Sequence, residues 1–232
     1  MRVSMPVVCV VGALALTSCA ATFEPRLQSL ESLKGRLPTV RQVQGGVEVS
    51  LEEFFTPGKS RRAFDAEVGA AGVLPLLVRV ENHGLRSYRL RRDRVAVYRG
   101  DEPLLPLEGR LAAAQGAARD AVWNSLVNTA ALGPLAIYWG VASLAATASQ
   151  TQAVNRKIEH HFESLELQDT LVKPDETVLG FAYFSLPRAT GPIADLRAEI
   201  VLEEEPAENG EERLLAYQLA LPPLSDRPGG VP

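Results

Sequence analysis

His160 and His161 stand side by side between Glu159 and Glu163, residue types that bind metals. Adjacent side chains on a helix diverge by about 100°, so the two imidazoles do not reach one ion together. The third histidine, His83, lies on a turn far along the chain. A solvent-facing or internally bonded pair fits better, and no metal site is expected. A second group is basic: Arg86, Arg89, Arg91, Arg92 and Arg94, with Arg99 beyond, in a chain of formal charge −4. The planar guanidinium fork matches phosphate and carboxylate, so these five are candidate contacts for an anionic lipid head group or an acidic partner. The alternative is a charged strand face that discourages edge pairing. Asp65 with Glu67 and Asp175 with Glu176 pair carboxylates in number only and suit turns or exposed strand positions. There is no G-x-S-x-G elbow, phosphate-cradling Gly loop or H-E-x-x-H. No catalytic residue or cofactor is assigned, and an enzyme is not expected. The acidic balance argues against a nucleic-acid binder, which would carry a positive excess.

The elements that position these groups begin with a leader. Arg2 is the only charge before Glu24, and Val7 to Leu16 is almost wholly apolar. That run has the length of a signal-peptide core and is too short to span a bilayer as a helix. It ends in Leu16-Thr17-Ser18-Cys19. This tail resembles the lipobox of bacterial lipoproteins: aliphatic, small, small, Cys. The resemblance implies that Cys19 Sγ carries a diacylglycerol, that residues 1–18 are removed, and that the new amino terminus is acylated. Loss of Arg2 would take the formal charge from −4 to −5. Two or more acyl chains make a stable anchor where one does not. Ala20 is not the Asp that tends to retain enteric lipoproteins at the inner membrane, which favours an outer-membrane, periplasm-facing address. With Cys9 lost in the leader and Cys19 lipidated, no thiol or disulfide is expected in the mature domain. Its partners would be the membrane through Cys19, and an envelope protein or anionic lipid.

Residues 19–44 read as a lipidated tether with a short helix near Leu27, Leu30 and Leu33. From Gly45 to about residue 222 the period is two, which predicts a single β domain. Val47, Val49 and Leu51 alternate with Glu48, Ser50 and Glu52. Asn82-His83-Gly84 reads as a turn in which Gly84 supplies a positive φ. Tyr88 and Leu90 share a face; the phase then slips at Arg92-Asp93 before Val95 and Val97 resume, the signature of a bulge or turn. Leu104 to Leu107 forms a short strand, Lys173 to Glu176 a turn, and Leu196, Ala198, Ile200 and Leu202 an alternating strand. Residues 223–232 read as a flexible tail.

From Ala121 to Asn155 there is no charged residue. Trp123, Leu126, Val127 and Ala130 recur at helical spacing, and Gly133-Pro134 breaks the run, so an apolar helical hairpin is expected within an insertion at about 112–163. Three fates fit it: covering a sheet face, entering the membrane beside the anchor with Tyr138 and Trp139 at the interface, or binding a partner. Trp123, Leu126, Tyr138 and Trp139 are its candidate contacts.

About seven short strands with turn signals predict a mainly β fold, an Ig-like β-sandwich carrying that insertion. The pattern "VLPLLVRVENHGLRSYRLRRDRVAVYR", then the small-residue block, then "LELQDTLVKPDETVLGFAYFSLP", resembles a group of uncharacterised proteobacterial lipoproteins. More distantly it is similar to the late-embryogenesis-abundant type of sandwich. The resemblance implies a fold and no mechanism. The expected protein is a lipid-anchored envelope lipoprotein, a non-catalytic binding or assembly module. The alternative is a membrane-associated structural protein whose hairpin enters the bilayer.

Overall fold

The computed structural model describes residues 28–33, 38–117, 152–186, 193–205 and 213–224. Its strands are β1 (Val40–Gln44), β2 (Val47–Glu53), β3 (Val73–Asn82), β4 (Tyr88–Arg99), β5 (Glu102–Pro103), β6 (Leu105–Leu107), β7 (Thr170–Val172), β8 (Thr177–Ser185), β9 (Leu196–Glu204) and β10 (Leu214–Ala220). Three helices accompany them: α1 (Pro57–Phe64), α2 (Gly109–Gly116) and α3, which runs through 152–165. Sheet I has the order β1-β2-β3-β8-β6 and sheet II the order β10-β9-β4-β5, with β7 on the opposite edge of β4 from β9. All strand pairings in both sheets are antiparallel. The expected mainly β, sandwich-like fold is what the chain forms.

The alternating positions explain the packing. Val49, Leu51, Leu76, Val78 and Phe184 of sheet I meet Leu90, Val97, Ile200, Leu202 and Tyr217 of sheet II in one core. A second core lies on the other face of sheet I. There Leu77, Phe181 and Tyr183 are covered by Phe64 of α1, Ala112 and Ala113 of α2, and Ile158, Phe162 and Leu165 of α3. Phe64 stacks on Phe162 with ring centroids 4.6 Å apart. The molecule therefore has three layers, helices on sheet on sheet.

That third layer goes beyond the alternating pattern. Ser50 and Glu52, which alternate with Val49 and Leu51, are only 2% and 4% exposed, because the helical layer lies over that side of β2. The helix α1 between β2 and β3 was not anticipated. The sandwich also starts earlier than Gly45: β1 pairs with β2 from Val40↔Leu51 to Gln44↔Val47. Before it, the 3-10 turn Leu30–Leu33 buries Leu33 in the helix-side core.

The insertion lies between β6 and β7, with stems slightly wider than expected, α2 from Gly109 and α3 to residue 165. Both stems cover sheet I. A Cβ on Gly109 would sit 3.0 Å from the backbone of Phe162 and Glu163, so the stems touch at their base. The expected hairpin, with Trp123, Leu126, Tyr138 and Trp139, falls outside the described residues, as does Cys19. Among the described residues, no helix is long and apolar enough to cross a membrane.

The edges of the two sheets are also joined. Gln44 Nε2 donates to Ala216 O at 3.0 Å, and Gln218 N donates to Gln42 Oε1 at 3.0 Å. Two glutamines of β1 thus satisfy backbone groups of β10 that would otherwise invite a foreign strand.

Candidate functional site

The arginine cluster lies on β4, with Arg86 in the turn just before it, and the predicted phase slip is a bulge within this one strand. Leu90 pairs with Leu202 and Val95 with Ile200, so Arg91 to Arg94 stand against the single residue Val201. Leu90 and Val95 both face the core, and the residues between them are pushed outward. The peptide groups this frees need partners. The Arg92 N–H donates to Asp169 Oδ1 at 2.7 Å, just before β7.

Carboxylates take up most of the positive charge. Arg91 grips Asp93 with both arms of its fork, Nε to Oδ1 at 3.0 Å and Nη2 to Oδ2 at 2.7 Å. This bonding raises the Arg91 pKa above its usual value. Arg94 Nε donates to Glu203 Oε1 at 3.2 Å. Arg86 Nη1 lies 2.9 Å from Glu204 Oε1, and Arg92 bonds Glu166 Oε1. The last two pairs differ in kind from the others. The Glu204 and Glu166 side chains are only 8% and 9% exposed, and a carboxylate out of water needs an opposite charge. Glu166 Oε1 also accepts the Gly109 N–H at 3.1 Å, at the first turn of α2. Arg86 and Arg92 are thus committed to holding the fold.

Arg89 remains. It is exposed and has no acidic partner among the described residues. It lines a cleft of about 280 Å³ together with Arg91, Asp169, Thr170 and Leu171. The structure gathers all five predicted arginines along the first half of β4 and the turn before it, and of the five Arg89 alone has no acidic partner among the described residues. Asp169, Thr170 and Glu166 were missed in the sequence. They stand 74 to 78 residues from Arg92, where no local pattern links them.

The histidines separate. His160 is exposed, whereas His161 is 8% exposed with Nε2 3.1 Å from Ala63 O of α1. Burial lowers the His161 pKa, partly offset by that hydrogen bond. Among the described residues no three His, Cys, Asp or Glu side chains gather to hold a metal.

The Asn82 turn also differs from expectation. Positive φ belongs to Gly45 and Gly46, not to Gly84. A Cβ on Gly84 would lie 3.1 Å from Gly45 O and 3.2 Å from Asn82 Oδ1. Gly84 is therefore required by the close approach of two turns. Asn82 is fully buried there. Its Nδ2 donates to Arg86 O at 2.6 Å and Val172 O at 3.1 Å, and its Oδ1 accepts from Gly84 N at 3.0 Å.

No protein-family model matches the chain, and no curated protein does. Among solved structures, the chain is similar to that of the "putative lipoprotein" ycdA from Bacillus subtilis, at 12% identity and a TM-score of 0.34. The match covers 80% of this chain and 39% of that one, so this chain spans about two fifths of its length.

Proposed function

We propose that this chain is a lipid-anchored lipoprotein of a bacterial envelope, held by Cys19 at the periplasmic side of the outer membrane, and that its β domain is a non-catalytic binding or assembly module. The observation that carries this reading is Leu16-Thr17-Ser18-Cys19 at the end of a short apolar core that follows Arg2. In the same reading, the partner contact is the cleft where the start of β4 meets β7. Arg89, beside Thr170, offers the free guanidinium there, and an acidic segment of an envelope protein or a lipid phosphate is its counterpart.

The test is intact mass and labelled-palmitate incorporation of the chain expressed in a bacterium. The expected product starts at Cys19 and carries the mass of a diacylglycerol plus an amide-linked acyl chain, and Cys19→Ala abolishes the label. An unmodified leader, or a trimmed start without acyl groups, would end the proposal. Retention of Cys19→Ala in alkali-washed membranes would favour the alternative, in which the uncharged insertion enters the bilayer. For the partner contact, Arg89→Glu should weaken capture of envelope components in a salt-sensitive way.

A further inference from the structure

The helices of this layer are richer in basic residues than the chain as a whole, with Glu31, Asp65, Glu67 and Glu108 in the turns and caps that flank them. Within α1, α2 and α3 there are six basic side chains, Lys59, Arg61, Arg62, Arg110, Arg156 and Lys157, against two acidic ones, Glu159 and Glu163. The whole chain has the opposite balance, 24 basic to 28 acidic. Lys59 is engaged with the buried Glu52 and Glu53, and Arg61 with Glu67. Arg62, Arg110, Arg156 and Lys157 are exposed and in no ion pair among the described residues. Stacking of Phe64 on Phe162 and the contact of Gly109 with Phe162 set the helices side by side, α3 between α1 and α2. Leu111, 51% exposed on α2, adds an apolar group to the same outer surface.

The described residues nearest Cys19 in the chain pack on this side. Leu33 is buried in the helix-side core, Leu30 packs against it, and Arg79 Nη2 donates to Leu33 O at 3.5 Å. Ten residues lie between Cys19 and Leu30, and fully extended this stretch reaches at most about 40 Å. A body of this chain length is itself about 40 Å across. To turn sheet II toward the bilayer, the tether would have to be drawn out fully around the domain. To present the helices, it needs no such excursion.

We infer that the outer surface of the helical layer is the membrane-facing surface of the anchored protein, resting on anionic phospholipid through Arg62, Arg110, Arg156 and Lys157. The inference rests on the lipid anchor at Cys19 proposed above. Sheet II and the Arg89 cleft then face away from the bilayer, so that of the two counterparts proposed for Arg89 the acidic protein segment is the one it meets. Each basic side chain near an anionic surface strengthens contact by about five-fold, so the layer is held flat by several weak contacts and freed by salt.

The expected absence of other cysteines in the processed chain makes a clean test possible. Ala114→Cys on α2 and Ala216→Cys on the outer side of β10 are both exposed positions. Each acylated variant is labelled with a fluorophore and reconstituted into vesicles carrying a head-group quencher, with or without about 30% phosphatidylglycerol, in low and high salt. The expected result is several-fold stronger quenching at position 114 than at 216, only with the anionic lipid and at low salt. Arg62→Gln/Arg156→Gln/Lys157→Gln should weaken this contact by about a hundred-fold, with circular dichroism confirming the fold. Equal quenching at both positions, stronger quenching at 216, or indifference to salt and lipid charge would overturn the inference. Intact mass reports acylation separately, so loss of the anchor and loss of this orientation are distinguishable.

Discussion

Asn82 is the residue whose replacement says most about how the sandwich end is built. Asn82→Ala removes three side-chain hydrogen bonds, to Arg86 O, Val172 O and Gly84 N. The backbone of Asn82 keeps its own bonds, donating to Glu176 O at 3.0 Å and accepting from Asp175 N at 2.7 Å. The loss therefore falls on the groups the side chain had satisfied. A buried polar group left unpaired costs about 1–3 kcal/mol. Val172 O takes the full cost, while Arg86 O and Gly84 N, at the half-buried rim, are partly rescued by water. The sum is about 3 kcal/mol, a large share of the roughly 5–15 kcal/mol that holds a domain folded. At about 3 °C per kcal/mol for this size, Tm should fall by about 9 °C. Asn82→Asp sharpens the test. It keeps the acceptor toward Gly84 but turns an oxygen toward two carbonyls, so the introduced carboxyl is favoured protonated and its folded pKa is raised. A group raised in the fold contributes its stability below the unfolded pKa of about 4 and loses it as pH rises through the folded value. Asn82→Asp should therefore lose ground to the parent between pH 4 and 8, while Asn82→Ala keeps a constant offset. Urea unfolding followed by circular dichroism across that range measures both. A cost below about 1 kcal/mol for Asn82→Ala, or a flat pH offset for Asn82→Asp, would refute the reasoning.

The depressed His161 pKa makes a native stability term present in full above the unfolded value near 6.5 and lost as pH falls toward the lower folded value. Urea midpoints should thus drop more between pH 7.5 and 5.5 for the parent than for His161→Gln. Gly180→Ala would place a Cβ 2.6 Å from Leu167 Cα and 2.9 Å from its N. Backbone cannot yield as a side chain can, so a loss of about 3 kcal/mol is expected in denaturant unfolding. Gly58→Ala in α1 meets nothing within 4 Å, and should raise stability by about 0.5 kcal/mol in the same assay. Tyr183→Phe removes the donor to Phe162 O, 3.1 Å away in the last turn of α3. It should cost about 1–2 kcal/mol and speed amide exchange in that turn.

What the sequence showed and what it hid divide along physical lines. The bulge in β4 was legible because Leu90 and Val95 must both reach the core, and an odd spacing between two inward residues leaves no regular solution. The strand from Leu196 was legible because its burial alternates without a break. The helix α1 was not, because "PGKSRRAF" buries only Ser60, Ala63 and Phe64, too few positions to show a helical period. The burial of Glu52 and Glu53 depends on Lys59 and a layer of helices from three separate parts of the chain. At the arginines the residue type was visible and the availability was not. Whether a guanidinium is free is decided by carboxylates far away in sequence: Glu203 for Arg94, Glu204 for Arg86 and Glu166 for Arg92.

Glu166 connects these levels. Its carboxylate receives Arg92 from the bulge of sheet II and the Gly109 N–H from the start of α2. Its residue also forms a parallel bridge to Phe181 of β8 in sheet I. Bulge, central strand and the base of the insertion therefore meet at one residue. Gly109 lets α2 lie against Phe162 and Glu163 with no side chain between them, so the chain departs from sheet I and returns to it at almost one point. A segment whose two ends are held so close adds little loop-closure cost as it lengthens, since that cost grows only with the logarithm of length. This is the physical reason a closed sandwich tolerates a long insertion between β6 and β7. The pairing that neutralises Arg92 is thus part of the attachment of the insertion, whereas Arg89, in the regular part of β4 before the bulge, has no acidic partner among the described residues.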